Sequence, residues 1–141
     1  MRILGIDPGL AIIGYGILDF KGNSFKTVSY GQINTPAKTP ITDRLDMIYS
    51  QMSELIIKFK PDDIAFEELF FNKNVKTAIT VAQARGVEVL AARQFTRNVY
   101  EYTPLQIKKS LVGYGRATKE QIQYMVKVLL NLKEVPKPDD V

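Results

Sequence analysis

Ile3-Leu4-Gly5-Ile6-Asp7-Pro8-Gly9 stands at the start of the chain, an apolar stretch that runs into a carboxylate and then a tight turn. Two further apolar stretches follow closely, Tyr15 to Phe20 and Ser24 to Ile33, separated by the hairpin turn Lys21-Gly22-Asn23. Strands joined by such short turns form an antiparallel meander. Beyond the polar stretch Asn34 to Pro40, Leu45, Ile48, Met52, Leu55, Ile56 and Phe59 recur at helical spacing, which predicts a helix over Thr42 to Phe59. Thr42 or Asp43 can cap it, and Lys60-Pro61 ends it. Asp63 to Leu69 then reads as a strand. A helical crossover makes that strand parallel to the first and places it alongside.

Asn74 to Phe95 predicts a second helix, Val99 to Tyr102 a fifth strand ended by Thr103-Pro104, and Thr118 to Leu132 a third helix capped by Thr118. The apolar positions of that last helix are Ile122, Met125, Val126, Leu129 and Leu130. Pro138-Asp139-Asp140 has the form of another helix start. The expectation is one α/β domain over residues 1–141, with a five-stranded mixed sheet and a C-terminal helix that is cut short or missing.

The composition excludes much chemistry. The 141 residues are 45% hydrophobic and 24% charged, enough for a core without staples, and they include no Cys and no His. Thiol nucleophiles, Ser-His-Asp triads and Cys/His zinc sites are therefore ruled out. Any metal is held by oxygen, which favours Mg²⁺, Mn²⁺ or Ca²⁺. Asp7 comes too early for a signal peptide, and no apolar run approaches the ~18 residues of a membrane span. The expected location is the cytoplasm.

Charge is unevenly distributed. Residues 1–70 carry 7 basic and 9 acidic side chains, whereas residues 71–141 carry 12 and 6. Between Asn72 and Lys119 nine basic residues face only Glu88 and Glu101. Such a concentration fits either a polyanion partner, nucleic acid foremost, or a solvated basic face.

Asp7 ends what should be the central strand, where a buried carboxylate is costly unless it is paired or binds a metal. The competing reading is an Asp that braces the Pro8-Gly9 turn. Glu67 and Glu68 end the adjacent strand, and alternation lets only one of them share the Asp7 face. Glu67 shares its face with Ala65 as Asp7 does with Gly5, leaving room for a metal and a phosphate. Glu68 lies with Ile64 and Phe66, as a packed residue would. Asp139 and Asp140 supply a third acidic position or simply a helix cap. Carboxylates from two strands and a helix start suit two-metal phosphoryl chemistry, which needs neither His nor Cys. Ala78, Ala82 and Gly86 form a small-residue stripe, suited to close packing on the sheet or to a subunit contact.

Gly5-Ile-Asp7-Pro-Gly9 with Gly14-Tyr-Gly16 resembles the opening motif of the RuvC Holliday-junction resolvases. Ala65-Phe-Glu67-Glu68-Leu-Phe70 continued by Asn72-Lys-Asn74, Gln83-Ala-Arg85-Gly86-Val, and Val112-Gly113-Tyr-Gly115 with Lys119 are similar to that family in the same order. The resemblance implies a ribonuclease H-like fold and a homodimeric, Mg²⁺-dependent endonuclease that nicks two opposed strands of a four-way DNA junction in recombination and repair. It implies two ions per site, replaceable by Mn²⁺, with Asp7, Glu67 and Asp140 as ligands, and a partnership with a RuvA–RuvB branch-migration complex. Asp140 is chosen because the family has a D-x-x-D pair whose second acid falls just past Val141. Lys108 and Lys119 resemble lysines of the catalytic cleft. Lys73, Lys76, Lys109 and Arg116 are expected on DNA, and Phe70 matches an aromatic near the junction centre, whose other reading is a core Phe. The small-residue helix is the family's dimer contact. Two other readings compete: an actin-like or sugar-kinase-type nucleotide binder, whose first strand also ends in Asp-x-Gly, and a non-catalytic junction-binding module. The first needs a second phosphate hairpin and a Gly-rich adenosine segment, and the chain shows neither.

Overall fold

A computed structural model describes residues 1–69 and 75–141. In chain order the elements are β1 (Arg2–Asp7), β2 (Ile12–Lys21), β3 (Ser24–Asn34), α1 (Ile41–Phe59), β4 (Asp63–Glu67), α2 (Val75–Phe95), β5 (Val99–Tyr102), α3 (Pro104–Val112) and α4 (Lys119–Leu129). The sheet order is β3-β2-β1-β4-β5. β1 pairs antiparallel with β2 and parallel with β4, and β4 is parallel to β5. This is the mixed sheet expected of a ribonuclease H-like fold, with β1 at its centre.

Alternation along the strands divides the sheet into two unlike faces. Leu4, Ile6, Ile13, Ile17, Ile64 and Phe66 point to one side and are all at most 4% exposed. Ile48, Met52 and Ile56 of α1 and Ala84, Ala91 and Ala92 of α2 close over them as a single core. Gly5, Asp7, Ala65 and Glu67 take the other side, where among the described residues parts of α3, α4 and the C-terminal segment border a cleft. β1 is bonded on both flanks, so its end is held rigidly.

Several details depart from the sequence expectation. α1 starts at Ile41, behind Pro40, and neither Thr42 nor Asp43 caps it, because no side chain bonds its first amides. Asp43 instead sits in the first turn, where a negative charge complements the helix dipole. Lys60 does end α1, in the left-handed conformation (φ 49°). β4 stops at Glu67 rather than Leu69, and β2 starts at Ile12 rather than Tyr15. α3 has no counterpart in the expected order. It is set by a reciprocal capping box between Thr103 and Gln106, with Pro104 in its first turn. Thr118 and Gln121 repeat the box at the start of α4. That helix ends near Leu129, and Asn131 follows in the left-handed region (φ 51°). It packs on α3, places Val126 in the cleft over the sheet and leaves Leu129 exposed.

The small-residue stripe of α2 does not pack on the sheet. Ala82 and Gly86 are exposed, and a Cβ on Gly86 would meet nothing within 4 Å. The buried stripe is Ala84, Glu88, Ala91 and Ala92. Pro138 to Val141 forms one turn, closed by the Val141 amide on the Pro138 carbonyl at 3.1 Å, and not a helix. Among the described residues no helix is long and apolar enough to cross a membrane.

Candidate active site

The β1–β4 register pairs Gly5 with Ala65 and Ile6 with Phe66, so Asp7 and Glu67 end adjacent strands on the same face. On the other flank Asp7 pairs with Gly14 of β2. The backbone of Asp140 lies directly over Gly14. A Cβ there would stand 1.3 Å from the Asp140 carbonyl oxygen, so only glycine leaves this seat open. Asp7, Glu67 and Asp140 thus reach one cleft of about 400 Å³, floored by Gly5, Gly16 and Ala65 and walled by Tyr102, Ile107 and Val126.

The electrostatics of the cleft follow from that geometry. Burial, then the negative charges of Glu67 and Asp140, push the Asp7 carboxyl up to about 7, against an opposing pull from Lys119. Glu67 is raised by burial and drawn back by Lys108. Each strand carboxylate therefore has one lysine acting on it. Asp139 is engaged elsewhere: it accepts from Lys119 Nζ at 2.6 Å and from Gln123 Nε2 at 3.3 Å. The bond to Asp139 raises Lys119, and the bonds from Lys119 and Gln123 lower Asp139. Among the described residues no three acidic groups close into a metal shell. The donor set is nonetheless suited to a hard divalent cation: all oxygen, already repelling, and aimed into one cleft.

Of the residues expected on DNA, Lys76 lies exposed in the first turn of α2, Lys109 is exposed near the end of α3, and Arg116 is exposed between α3 and α4. Phe70 and Lys73 lie outside the described residues.

Two participants were not evident from the sequence. One is the role of Gly14 as the seat of Asp140. The other is Glu88, fully buried on α2, whose carboxyl accepts from the Gly9 amide at 3.3 Å. Burial dominates its environment and raises it to about 8, against the opposing Gly9 bond and the Arg85 charge.

The family model described as crossover junction endodeoxyribonuclease RuvC matches residues 3–141. The crossover junction endodeoxyribonuclease RuvC of Finegoldia magna is 60% identical, over 99% of this chain and 85% of its own length. The corresponding protein of Halothermothrix orenii is 58% identical, over 100% and 86%. Among solved structures, T. thermophilus RuvC in complex with Holliday junction substrate superposes with a TM-score of 0.93 at 34% identity, covering 99% of this chain and 86% of that one. The yeast mitochondrial Holliday junction resolvase Ydc2 is similar in fold, with a TM-score of 0.67 at 15% identity over 92% of this chain and 60% of its own.

Two expectations follow from this geometry. Gly14→Ala forces the Asp140 backbone off β2 while leaving the core untouched, so the Asp7 carboxyl should titrate below about 7 once one of its repelling neighbours has left. A ¹³C-detected carboxyl titration reads this directly; an unchanged Asp7 titration refutes the seat.

The second concerns stability without metal. Asp7 and Glu88 hold protons in the folded state that the unfolded chain releases, with folded values of about 7 and about 8 against ordinary values of 3.8 and 4.5. Their contribution to stability is full below the unfolded values and is lost as pH rises through the folded ones. Asp7→Asn should therefore melt above the wild type at pH 8 in EDTA, with the difference vanishing near pH 4. A constant difference across that range contradicts the shift.

Proposed function

Because the chain belongs to the RuvC family of crossover junction endodeoxyribonucleases, we propose that it resolves four-way DNA junctions by divalent-metal-dependent hydrolysis at the cleft of Asp7, Glu67 and Asp140. The observation that carries this reading is the convergence of three carboxylates from β1, β4 and the C-terminal segment on one cleft. The family match along nearly the whole chain favours neither the kinase-like nor the non-catalytic alternative.

Asp7, Glu67 and Asp140 would hold Mg²⁺, for which Mn²⁺ can substitute. Two such ions per site, when bound, supply Lewis-acid activation of water and stabilisation of the departing oxygen. The protein's own residues do the rest. β1 and β4 fix the positions of two ligands, and Gly14 seats the third. Lys108 and Lys119 carry positive charge to the edge of the cleft, where a scissile phosphate gathers negative charge during reaction. Lys119 is exposed and held by Asp139, so a phosphate can exchange for that carboxylate at little cost. Lys73, Lys76, Lys109 and Arg116 hold flanking phosphates, and Phe70 stacks on bases at the junction centre.

Two opposed strands require two equivalent sites, which a two-fold dimer provides. The exposed side of α2 suits that contact: Val75, Ile79 and Leu90 are 76%, 56% and 51% exposed, with Ala82 and Gly86 between them. The same reading makes residues 1–141 a single nuclease domain, places the protein in the cytoplasm and has it receive junctions from a RuvA–RuvB complex.

Asp7→Asn should abolish cleavage of a synthetic four-way junction in Mg²⁺ while retaining or strengthening binding, since a ligand and a negative charge facing phosphate are both lost. Lys108→Ala should slow cleavage and flatten the log–log salt dependence of binding by about one unit. Cleavage by Asp7→Asn at the wild-type rate would falsify the site.

Ala82→Arg places a charge in the centre of the exposed α2 stripe. Sedimentation should show monomers that bind junctions weakly and fail to make paired cuts. A dimer that persists with normal paired cutting rules out this surface.

A further inference from the structure

The loop that follows Asp7 is held from below by groups that the hydrolytic chemistry does not use. Glu88 is 0% exposed, on a face of α2 otherwise lined by Ala84, Ala91 and Ala92. An apolar residue there would pack without loss, whereas a buried carboxyl is costly unless its bonds are needed. Its one hydrogen-bond partner among the described residues is the Gly9 amide, two residues beyond Asp7, donating to Oε1 at 3.3 Å; Oε2 has none.

The far side of the same loop is anchored as well. The Leu10 carbonyl accepts from Thr35 Oγ1 at 2.5 Å, and the Ala11 carbonyl accepts from the Thr35 amide at 3.0 Å. Thr35 in turn accepts from the buried Arg44 at Oγ1, 2.9 Å away. The loop is also tightly wound, since a Cβ on Gly9 would come within 2.1 Å of the Ile12 carbonyl oxygen. Residues 9–11 are thus bonded from α2 on one side and from Thr35, backed by α1, on the other.

We propose that Glu88 is a positioning residue for the metal site, acting through the Gly9 amide to hold the turn that aims Asp7 into the cleft. It touches neither substrate nor metal. What it supplies is a fixed hydrogen-bond acceptor beneath the loop, so that Asp7 is already in place when a cation arrives. Groups that orient a ligand without binding the metal commonly govern affinity by roughly 10- to 100-fold. The inference rests on the reading of Asp7 as a ligand, and its test separates the two.

Glu88→Leu fills nearly the same volume with no acceptor, and Glu88→Gln keeps the acceptor without the acid. The measurements are Mn²⁺ titration calorimetry on the full chain, single-turnover cleavage of a four-way junction, junction binding in EDTA, and amide exchange at Gly9. Glu88→Leu should fold, bind junctions normally in EDTA, lose about tenfold or more in Mn²⁺ affinity, and fall in cleavage rate at saturating junction with little change in KM. Glu88→Gln should restore both Mn²⁺ affinity and rate to within about twofold, because the acceptor is retained. Wild-type Mn²⁺ affinity in Glu88→Leu overturns the proposal, and so does a Glu88→Gln variant as defective as Glu88→Leu. A Gly9 amide that exchanges freely in the wild-type protein overturns it without recourse to any variant. A wild-type chain that binds no Mn²⁺ overturns the metal-site reading itself and the Glu88 proposal with it.

Discussion

Strict alternation of side chains along β1 and β4 is the constraint on which the rest of the structure depends. Leu4 and Ile6 must face the helices to complete the core, and this alone sends Gly5 and Asp7 to the opposite side. The same rule applied to β4 buries Ile64 and Phe66 and turns out Ala65 and Glu67. Since the register pairs Gly5 with Ala65, both carboxylates come out level at the same end of the sheet. A slip of one residue in either strand would bury a carboxylate in the core and expose an isoleucine or phenylalanine. Core packing and site geometry are therefore one choice, made once.

This is why the part of the site carried by strands was legible in the residues. A period of two, small neighbours at Gly5 and Ala65, and a crossover that implies a parallel neighbour suffice to bring Asp7 and Glu67 together. The parts that could not be read depend on contacts between distant segments. Nothing in Gly14-Tyr-Gly16 says that a backbone more than a hundred residues later will rest on it. α3 had a local signal, the Thr103-x-x-Gln106 box with Pro104, but its short, basic run lacks a core-facing stripe and has no fully buried residue. Glu88 also had a signal, a lone acid at helical spacing among Ala84, Ala91 and Ala92. Ala82 and Gly86 read as suited either to the sheet or to a subunit contact, and that they are exposed depends on how α2 is rotated against the sheet.

The two faces of the sheet have opposite mechanical characters. Among the described residues, the largest fully buried side chains, Phe66, Leu4 and Met52 included, all lie on the helix-covered side. The site face is covered by α3 and α4, neither of which has a fully buried residue. Their helical form is maintained by capping boxes and by packing on each other rather than by a core. The strands that hold Asp7 and Glu67 owe their packing to the other face and do not depend on that layer. Carboxylates carried on rigid strands are what a precisely positioned site requires.

The cleft also concentrates an electrostatic cost that the fold does not relieve by itself. Asp7 is raised to about 7 by burial and by Glu67 and Asp140, and Lys119 only partly opposes this. A network of arginines could have neutralised these carboxylates, but Arg2 and Arg85 are committed elsewhere, to Asp19 and Glu101. In the metal-dependent reading proposed above, a divalent cation held there would offset the repulsion acting on Asp7 and lower its carboxyl. Of the three carboxylates, Asp7 and Glu67 are fixed by the sheet, and Asp140 is placed by the close approach of its backbone to Gly14.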